Sequence, residues 1–470
     1  ASLFFPILKQ STYTMDTIAA LATPPGKGGV GIIRISGDRA KQILEQIAPH
    51  WPTDTPSHLL RLASLRQDDG SLIDEALVVL MQSPNSYTGE DVVELQCHGG
   101  PVILRKALDR VLSQGARHAR PGEFTERAFL HGKLDLTQAE AVADLIEAES
   151  EAAHKLAAEH LEGGLGDKIK ELLELLVQCM MLVESALDFS HEEHVYQIEK
   201  DEIKRRLDKV YSELEQLSAR FDAGRRVREG IKVVVAGAAN AGKSTLFNAI
   251  HGTDRAIVTD IAGTTRDFLE EELVLGGVSI RLVDTAGLRE TMDKVESIGI
   301  KRSLEWTRKA DLLLWVVDSS QPLEARVSKE LEQASMLGVD TFIVRNKCDL
   351  ACGLTAQDEQ LLARFDHCIE ASLGAEPPEG LEQLKAALEE KAIALTSSEG
   401  VLLSRTRHYE QVIKCMRAIE QALTALGLGA EHELLAMDIR DALDALGAIV
   451  GKVSTDDILN RIFGEFCVGK

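Results

Sequence analysis

The stretch that most constrains this chain is IKVVVAGAANAGKST, residues 231–245. A β-branched run over 231–236 leads into Gly237-x-x-x-x-Gly242-Lys243-Ser244, and the apolar run LFNAI follows. A loop that wraps a polyphosphate must aim successive backbone N–H groups inward and let the backbone approach closely, so glycine is needed at its bends. In that reading Lys243 supplies a point charge to the β- and γ-phosphates, and the Ser244 hydroxyl is a magnesium ligand. The helix that follows presents its N-terminus to the anion. The bland alternative is a chance glycine-rich turn. A strand before the loop and a helix after it argue against that.

Three downstream stretches point to a guanine nucleotide. In RLVDTAG (281–287), Asp284 ends an apolar strand and can hold magnesium through water, while the Gly287 N–H can meet the γ-phosphate. In Asn346-Lys347-Cys348-Asp349, after TFIVR, a carboxylate can accept two hydrogen bonds from the guanine edge; adenine offers no matching donors. Between them, Gly263-Thr264-Thr265-Arg266-Asp267 falls where a switch loop belongs, with Thr265 as the second magnesium hydroxyl. Each is weak alone; in this order, with strands before Asp284 and Asn346, they predict a GTP site.

Hydrolysis needs a positioned water and added positive charge. Many GTPases orient that water with a glutamine right after Asp-x-x-Gly, but this chain has Leu288 there. Glu290, Asp293 and Glu296 are the nearby alternatives, and spacing does not choose among them. The charge could come from Arg266, Arg289, a partner's arginine or a bound monovalent cation. Asn240 suits a cation as a neutral oxygen donor, and equally suits the role of an ordinary loop residue.

The 470 residues allow two to four domains. A formal charge of −23 argues against a broadly basic nucleic-acid groove. Arg225-Arg226-Val227-Arg228 is a local basic patch or a solvated linker. Seven scattered cysteines without a C-x-x-C pair suit a reducing cytosol, and Cys348 and Cys352 have no nearby histidine for a zinc site. No apolar run has transmembrane length. Residues 1–14, ahead of Met15, lack the features of a signal peptide and read as a disordered or upstream segment outside the fold.

Along the chain, 17–22 and 30–36 read as strands around PPGKGG, 39–47 as a helix, 76–81 and 91–96 as strands and 101–112 as a helix with proline in its first turn. This predicts an α+β domain. Thr137-Gln-Ala-Glu140 reads as a capping box that opens a helical stretch lasting to about Phe221, broken at GGLG (163–166). Residues 231–391 alternate strands and helices, as a doubly wound domain does. Helical character returns after 396–400. The economical organisation is therefore multidomain α/β: a segment 1–14, an N-terminal α+β domain 15–132, a helical domain 133–228 and 392–470, and a P-loop domain 229–391 inserted into it. Two unrelated helical pieces are the alternative. Near the end, Ser454–Asp457 can cap a last helix that stops at Gly464. In the tail, Cys467 is either a thiolate nucleophile activated by Lys470 or an idle thiol. Cys-Val-Gly-Lys has the form of a prenylation box, but its terminal lysine is not a usual residue there.

From Met15 to Lys470 these stretches resemble the MnmE (TrmE) family of tRNA modification GTPases. The resemblance rests on ATPPGKGGVGIIRISG (22–37), SYTGEDVVELQCHGGP (86–101), RPGEFTERAFLHGKLDLTQAEAVADLI (120–146), GAANAGKSTLFNAI, TDIAGTTRD (259–267), DTAGLRE and the terminal FCVGK. It implies a folate-binding-like N-terminal domain, a helical domain and an inserted Ras-like GTPase domain. It implies a cytoplasmic homodimer, off the membrane, working on tRNA with a FAD-dependent MnmG-type partner. The pair would install an aminomethyl-type group (carboxymethylaminomethyl) at carbon 5 of the wobble uridine, using 5,10-methylene- or 5-formyl-tetrahydrofolate.

By motif position the folate contacts would be Arg34, Glu94, Lys133 and Lys470; spacing alone makes Arg34 an outward residue of an alternating strand. The GTP site would take Asn240, Ala241, Gly242, Lys243, Ser244 and Thr245. It would add Thr259, Asp260, Ile261, Ala262, Gly263, Thr264 and Thr265, then Asp284, Thr285, Ala286 and Gly287, then Asn346, Lys347 and Asp349. Magnesium (Mg2+) would sit on Ser244 and Thr265, and potassium (K+) on the Asn240 side chain with carbonyls of Thr259, Ile261 and Thr264. Glu296 would orient the water, and Cys467 would be needed for the modification. The chain departs from the family where Gly237-Ala-Ala-Asn240 replaces the common Gly-Arg-Pro-Asn. It departs again where Ala371-Ser372-Leu373 stands for a Ser-Ala-Lys-like base contact. An Era-like ribosome-assembly switch is the alternative function, and a scaffold that binds nucleotide without turnover a third; the N-terminal motifs and FCVGK speak against the first and the intact phosphate residues against the second.

Overall fold

The computed structural model describes residues 16–188, 193–253, 270–284, 310–428, 432–452, 456–464 and 466–470. The chain divides into two compact units. One holds residues to 146, 159–214 and 410–470; the other holds 147–158 and 215–409.

In the first unit a six-stranded sheet runs in the order β3-β4-β5-β2-β1-β6. Its strands are β1 Ile18–Leu21, β2 Val30–Ser36, β3 Arg61–Arg66, β4 Leu72–Met81, β5 Val92–His98 and β6 Arg117–His118. Side chains alternate along a strand, so Ile33, Ile35, Val78, Leu80, Val93 and Leu95 share one core face. Helices α1 Ala40–Ile47 and α2 Pro101–Ser113 pack on that sheet. The opposite face carries Arg34 and Glu94, direct partners across β2 and β5.

Three elements go beyond the sequence reading: β3, β6 and α3 Glu123–Leu130. Seven of the eight residues of α3 are buried, Glu123, Glu126 and Arg127 among them. It therefore has no apolar stripe to read.

The capping box is shifted. Helix α4 is Leu136–Glu147, so Thr137 lies inside it. The reciprocal pair is Asp135 and Gln138: the Gln138 N–H donates to Asp135 Oδ1 and the Asp135 N–H to Gln138 Oε1, both at 3.0 Å. The Thr137 hydroxyl instead donates to Asp135 Oδ1 at 2.6 Å. Aspartate caps as well as threonine, and here it precedes it. Helices α5 Glu151–Leu161 and α6 Gly164–Asp188 follow, parted where Gly163 takes a φ of +103°. Further on come α7 Glu193–Ala219 and α8 Phe221–Glu229.

The second unit carries a sheet ordered β12-β11-β10-β7-β9-β8. Its strands are β7 Ile231–Gly237, β8 Glu270–Leu275, β9 Val278–Asp284, β10 Leu312–Asp318, β11 Thr341–Asn346 and β12 His367–Glu370. Every neighbouring pair is parallel except β8–β9. Helices α9 Lys243–Thr253, α10 Ala325–Leu337, α11 Ala356–Leu362 and α12 Leu381–Thr396 intervene. Apolar clusters cover both faces: Val233, Val235, Leu314 and Phe342 on one, Val234, Leu313, Trp315 and Ile343 on the other. This is the doubly wound architecture expected of the P-loop domain, inserted in chain order into the first unit. Helices α13 Thr406–Leu428, α14 His432–Val450 and α15 Asp456–Gly464 complete the chain, with α14 packed along α6.

Candidate functional site

The phosphate loop leaves the C-terminal end of β7, where strand order turns outward to β10 on one side and β9 on the other. Such a switch point opens a crevice at the strand ends. Backbone approach explains the glycines. A Cβ on Gly237, at φ +143°, would meet the Val316 carbonyl oxygen at 2.3 Å. A Cβ on Gly242, at φ +107°, would sit 2.0 Å from Asn346 Nδ2. Lys243 Nζ donates to the carbonyls of Gly237 (3.1 Å) and Ala238 (2.7 Å), so its ammonium lies inside the loop's curve. Ser244 and Thr245 are exposed at the start of α9, and Asn240 is exposed at φ +61°.

Asn346 ends β11 and is buried. Its Nδ2 donates to the Ala241 carbonyl at 2.9 Å, and its Oδ1 accepts the Leu373 N–H at 3.1 Å. One amide thus ties the phosphate loop to the segment Ala371-Ser372-Leu373. The Asp349 N–H donates to Ser372 Oγ at 3.0 Å, and the Cys348 N–H to the Ala371 carbonyl at 3.1 Å. Lys347, at φ +62°, places Nζ 2.6 Å from Asp318 Oδ2. Burial pushes the Asp318 carboxyl up, but its bonds from Lys347 and Ser320 outweigh that and hold it low. The three loops therefore converge on one crevice.

Asp284 is the last residue of β9. Thr259, Asp260, Ile261, Ala262, Gly263, Thr264, Thr265, Thr285, Ala286, Gly287 and Glu296 lie outside the described residues, as do Arg266, Arg289, Glu290 and Asp293.

A second constellation lies in the other unit. Arg34 Nε donates to Glu94 Oε1 at 2.9 Å, and Nη1 to the Gly469 carbonyl at 3.3 Å. The guanidinium carbon lies 5.5 Å from the Tyr87 ring centre and 5.6 Å from that of Phe124. The Tyr87 and Thr125 hydroxyls share a 2.8 Å hydrogen bond. Lys470 is half-buried there. Burial and the Arg34 charge lower its pKa, with Glu94 and Cys467 opposing. Two cations facing one carboxylate leave the site electropositive. Lys133 is exposed, and its Nζ donates to the Pro84 carbonyl at 3.1 Å. The structure thus brings Arg34, Glu94 and Lys470 together and places Lys133 on a neighbouring loop contact.

The tail that carries Cys467 is docked on the N-terminal domain's 121–124 segment. Val468 bridges Pro121, the Cys467 carbonyl accepts from the Gly122 N–H at 3.4 Å, and the Phe124 N–H donates to the Lys470 carbonyl at 3.2 Å. A Cβ on Gly469 would meet the Leu21 carbonyl at 2.4 Å, which fixes glycine at that crossing. The Cys467 residue itself is exposed. The basic run at 225–228 is drawn inward. Arg225 Nη2 and Arg226 Nε both donate to Asp311 Oδ1, at 2.7 and 2.9 Å, and Arg228 Nη1 to Glu229 Oε1 at 3.0 Å. Tyr87, Phe124 and Gly469 are site residues that sequence reasoning missed. Their motifs were visible, but no spacing rule joins residues so far apart in the chain.

Two family models match: "GTP-binding protein TrmE N-terminus" over residues 17–133 and "MnmE helical domain" over 136–467. The chain is 43% identical over 460 residues to the tRNA modification GTPase MnmE of Stutzerimonas stutzeri, covering 97% of this chain and 99% of the relative. It is 41% identical over 463 residues to that of Proteus mirabilis, covering 97% and 100%. It is 39% identical over 461 residues to that of Cytophaga hutchinsonii, covering 97% and 98%.

The chain belongs to the MnmE family of tRNA modification GTPases.

In this MnmE-family chain the loop Gly237-Ala-Ala-Asn240 reaches its left-handed Asn240 through two alanines. Among the described residues, no helix is long and apolar enough to cross a membrane.

Proposed function

We propose that the chain hydrolyses GTP to drive attachment of a carboxymethylaminomethyl group to carbon 5 of the wobble uridine of tRNA. On this reading a one-carbon tetrahydrofolate, the 5,10-methylene or 5-formyl form, binds the N-terminal domain, and a FAD-dependent MnmG-type partner completes the reaction. The observation that carries the reading is one chain holding both a phosphate loop tied through Asn346 to a base-facing segment and an aromatic-walled cationic site at Arg34. Arg34 and Lys470 suit folate carboxylates, and Glu94 suits a pterin amide and amine edge. Residues 15–132 then carry the folate site, 229–391 the GTP site, and 133–228 with 392–470 the helical scaffold.

Magnesium fits the exposed Ser244 hydroxyl, with Thr265, and potassium fits the exposed Asn240 amide, with carbonyls of Thr259, Ile261 and Thr264. When bound, such cations supply positive charge to the transferring phosphoryl group. Glu296 orients the attacking water, and Cys467 serves the modification. A second copy of the chain suits the open sheet face, where Leu62 (67% exposed) pairs with Leu77 (42%) and Val30 is 59% exposed. With a net charge of −23 and Arg225 and Arg226 committed to Asp311, tRNA contact is local or falls to the partner. The site of action is the cytoplasm. Nucleoside analysis of tRNA from a strain lacking the gene tests the reading: modified wobble uridines should disappear, and unchanged wobble uridines overturn it.

A further inference from the structure

The loop 346–350 is held from two sides. On the β12 side, Ala371 and Ser372 accept the N–H groups of Cys348 and Asp349. The β10 side is built by Asp318-Ser319-Ser320, a stretch outside every nucleotide motif of the sequence. Asp318 ends β10 and is the register partner of Asn346 across the parallel pair β10–β11. The Ser319 N–H donates to the Asn346 carbonyl at 2.9 Å, and the Ser319 carbonyl accepts the Gly353 N–H at 2.9 Å. A Cβ on Gly353 would meet the Ser320 carbonyl at 2.3 Å, so the chain returns close against this stretch.

The central contact is the ion pair between Asp318 and Lys347. Lys347 Nζ lies 2.6 Å from Asp318 Oδ2, and the two side chains are mostly buried, at 32% and 17% exposed. Asp318 Oδ1 accepts the Ser320 hydroxyl at 2.6 Å and the Ser320 N–H at 3.0 Å. Both carboxylate oxygens are therefore engaged, which fixes the direction of the group. Lys347 needs such an anchor. Its φ of +62° lies in the left-handed region, where a Cβ crowds the backbone. The turn that follows is closed by the Leu350 N–H on the Lys347 carbonyl at 3.1 Å. Asp349 sits inside that turn and is exposed.

We propose that Asp318 is a positioning residue of the guanine site: by anchoring the Lys347 ammonium it holds residue 347 left-handed and keeps the Asp349 carboxylate aimed at the base. This rests on reading Asp349 as the acceptor for the guanine N1–H and 2-amino group. A carboxylate takes both donors only when its two oxygens line up with them, and rotation of the backbone at 347 swings residue 349. Burial raises the Asp318 pKa, but its bonds from Lys347 and Ser320 outweigh that, so the anchor stays charged near neutrality. Asp318 thus sets base discrimination from the end of a neighbouring strand.

Titration of the full chain, with magnesium, by GDP and by IDP tests this, because the hypoxanthine of IDP lacks the 2-amino group. Wild type should prefer GDP by roughly tenfold or more, the usual worth of a charge-assisted hydrogen bond. Asp318→Ala should shrink that preference by about threefold or more, since coupled neighbours lose affinity on this scale. A merely structural Asp318 would lower the unfolding midpoint and leave the preference as it is. Asp318→Asn keeps the side-chain volume and loses the charge; it is the companion variant should Asp318→Ala not fold, and it should move the preference the same way. Because Asp318 acts through Lys347, Asp318→Ala should add nothing to Lys347→Ala. A wild-type preference in the Asp318 variants, or independent effects in the double variant, overturns the proposal. Asp349→Asn isolates the underlying reading: its amide should exchange guanine for xanthine, whose 2-oxo group accepts where guanine donates. If Asp349→Asn still prefers GDP to XDP as wild type does, that reading falls and the proposal with it. If the preference exchanges while the Asp318 variants stay like wild type, the proposal alone fails.

Discussion

The buried amide of Asn346 donates to the carbonyl of Ala241 over 2.9 Å, across 105 residues of sequence. This bond, with the Leu373 N–H on Asn346 Oδ1, ties the segment Ala371-Ser372-Leu373 to the phosphate loop. Asn346→Ala leaves a buried carbonyl and a buried N–H unpaired, at a cost of about 1–3 kcal/mol. The expected outcome is a lower unfolding midpoint together with weaker GDP and GTP binding. Thermal unfolding and nucleotide titration check it, and unchanged values in both contradict the geometry.

Turnover by the purified protein with magnesium should rise when potassium replaces sodium at equal ionic strength. Glu296→Ala should remove about 100-fold or more of that rate, the usual worth of a positioned base. Equal rates in the two salts would make Asn240 an ordinary loop residue and return the search for positive charge to Arg266, Arg289 or a partner's arginine.

Arg34→Ala should weaken 5-formyl-tetrahydrofolate binding by about tenfold or more, since a charge-assisted contact contributes roughly 1.5–3 kcal/mol. Lys133→Ala should have the smaller effect, because Lys133 is held at the Pro84 carbonyl rather than in the Arg34 cluster. Calorimetry decides, and equal affinity in wild type and Arg34→Ala removes Arg34 as a contact.

The buried charges of α3 set an acid limit. Burial pushes Glu123 up, but bonds from Arg117 and the Arg120 N–H, with the charges of Arg127 and Arg117, hold it at about 2. A carboxyl with a depressed folded pKa contributes stability above its unfolded value, and that stability is lost as pH falls through the folded one. The N-terminal domain should therefore lose about 3 kcal/mol from this group between roughly pH 5 and pH 2. Glu123→Gln should be less stable at neutral pH and show a shallower acid decline. Parallel pH dependence in the two proteins would contradict this.

Local chemistry was legible where a run of neighbouring residues performs it. The Gly237–Ser244 loop, the strand before it and the helix after it follow from contiguous sequence, as does the strand leading to Asn346. The failures share a different cause. The capping box moved from Thr137 to Asp135 because two residues of equal capping power stand close together and only packing chooses. Helix α3 was invisible because its charged side chains are buried against ion-pair partners, Arg127 with Glu90 and Glu123, and Glu126 with the exposed Arg120 ahead of the helix, so no hydrophobic period marks it.

What the sequence alone determined is a set of local parts and their order: a glycine-bent loop between a strand and a helix, the strand leading to Asn346-Lys347-Cys348-Asp349, an α/β domain lying between helical stretches and a glycine-containing tail. These depend on backbone freedom and side-chain type within a few residues. Only the tertiary structure decided which parts meet. The register of β2 on β5 sets Arg34 opposite Glu94, the tail crossing at Gly469 brings Lys470 to them, and Ala152, far upstream in the chain, reaches the β8–β9 turn. Strand register and long-range docking are set by the sum of core burial over the whole unit, so no local pattern encodes them.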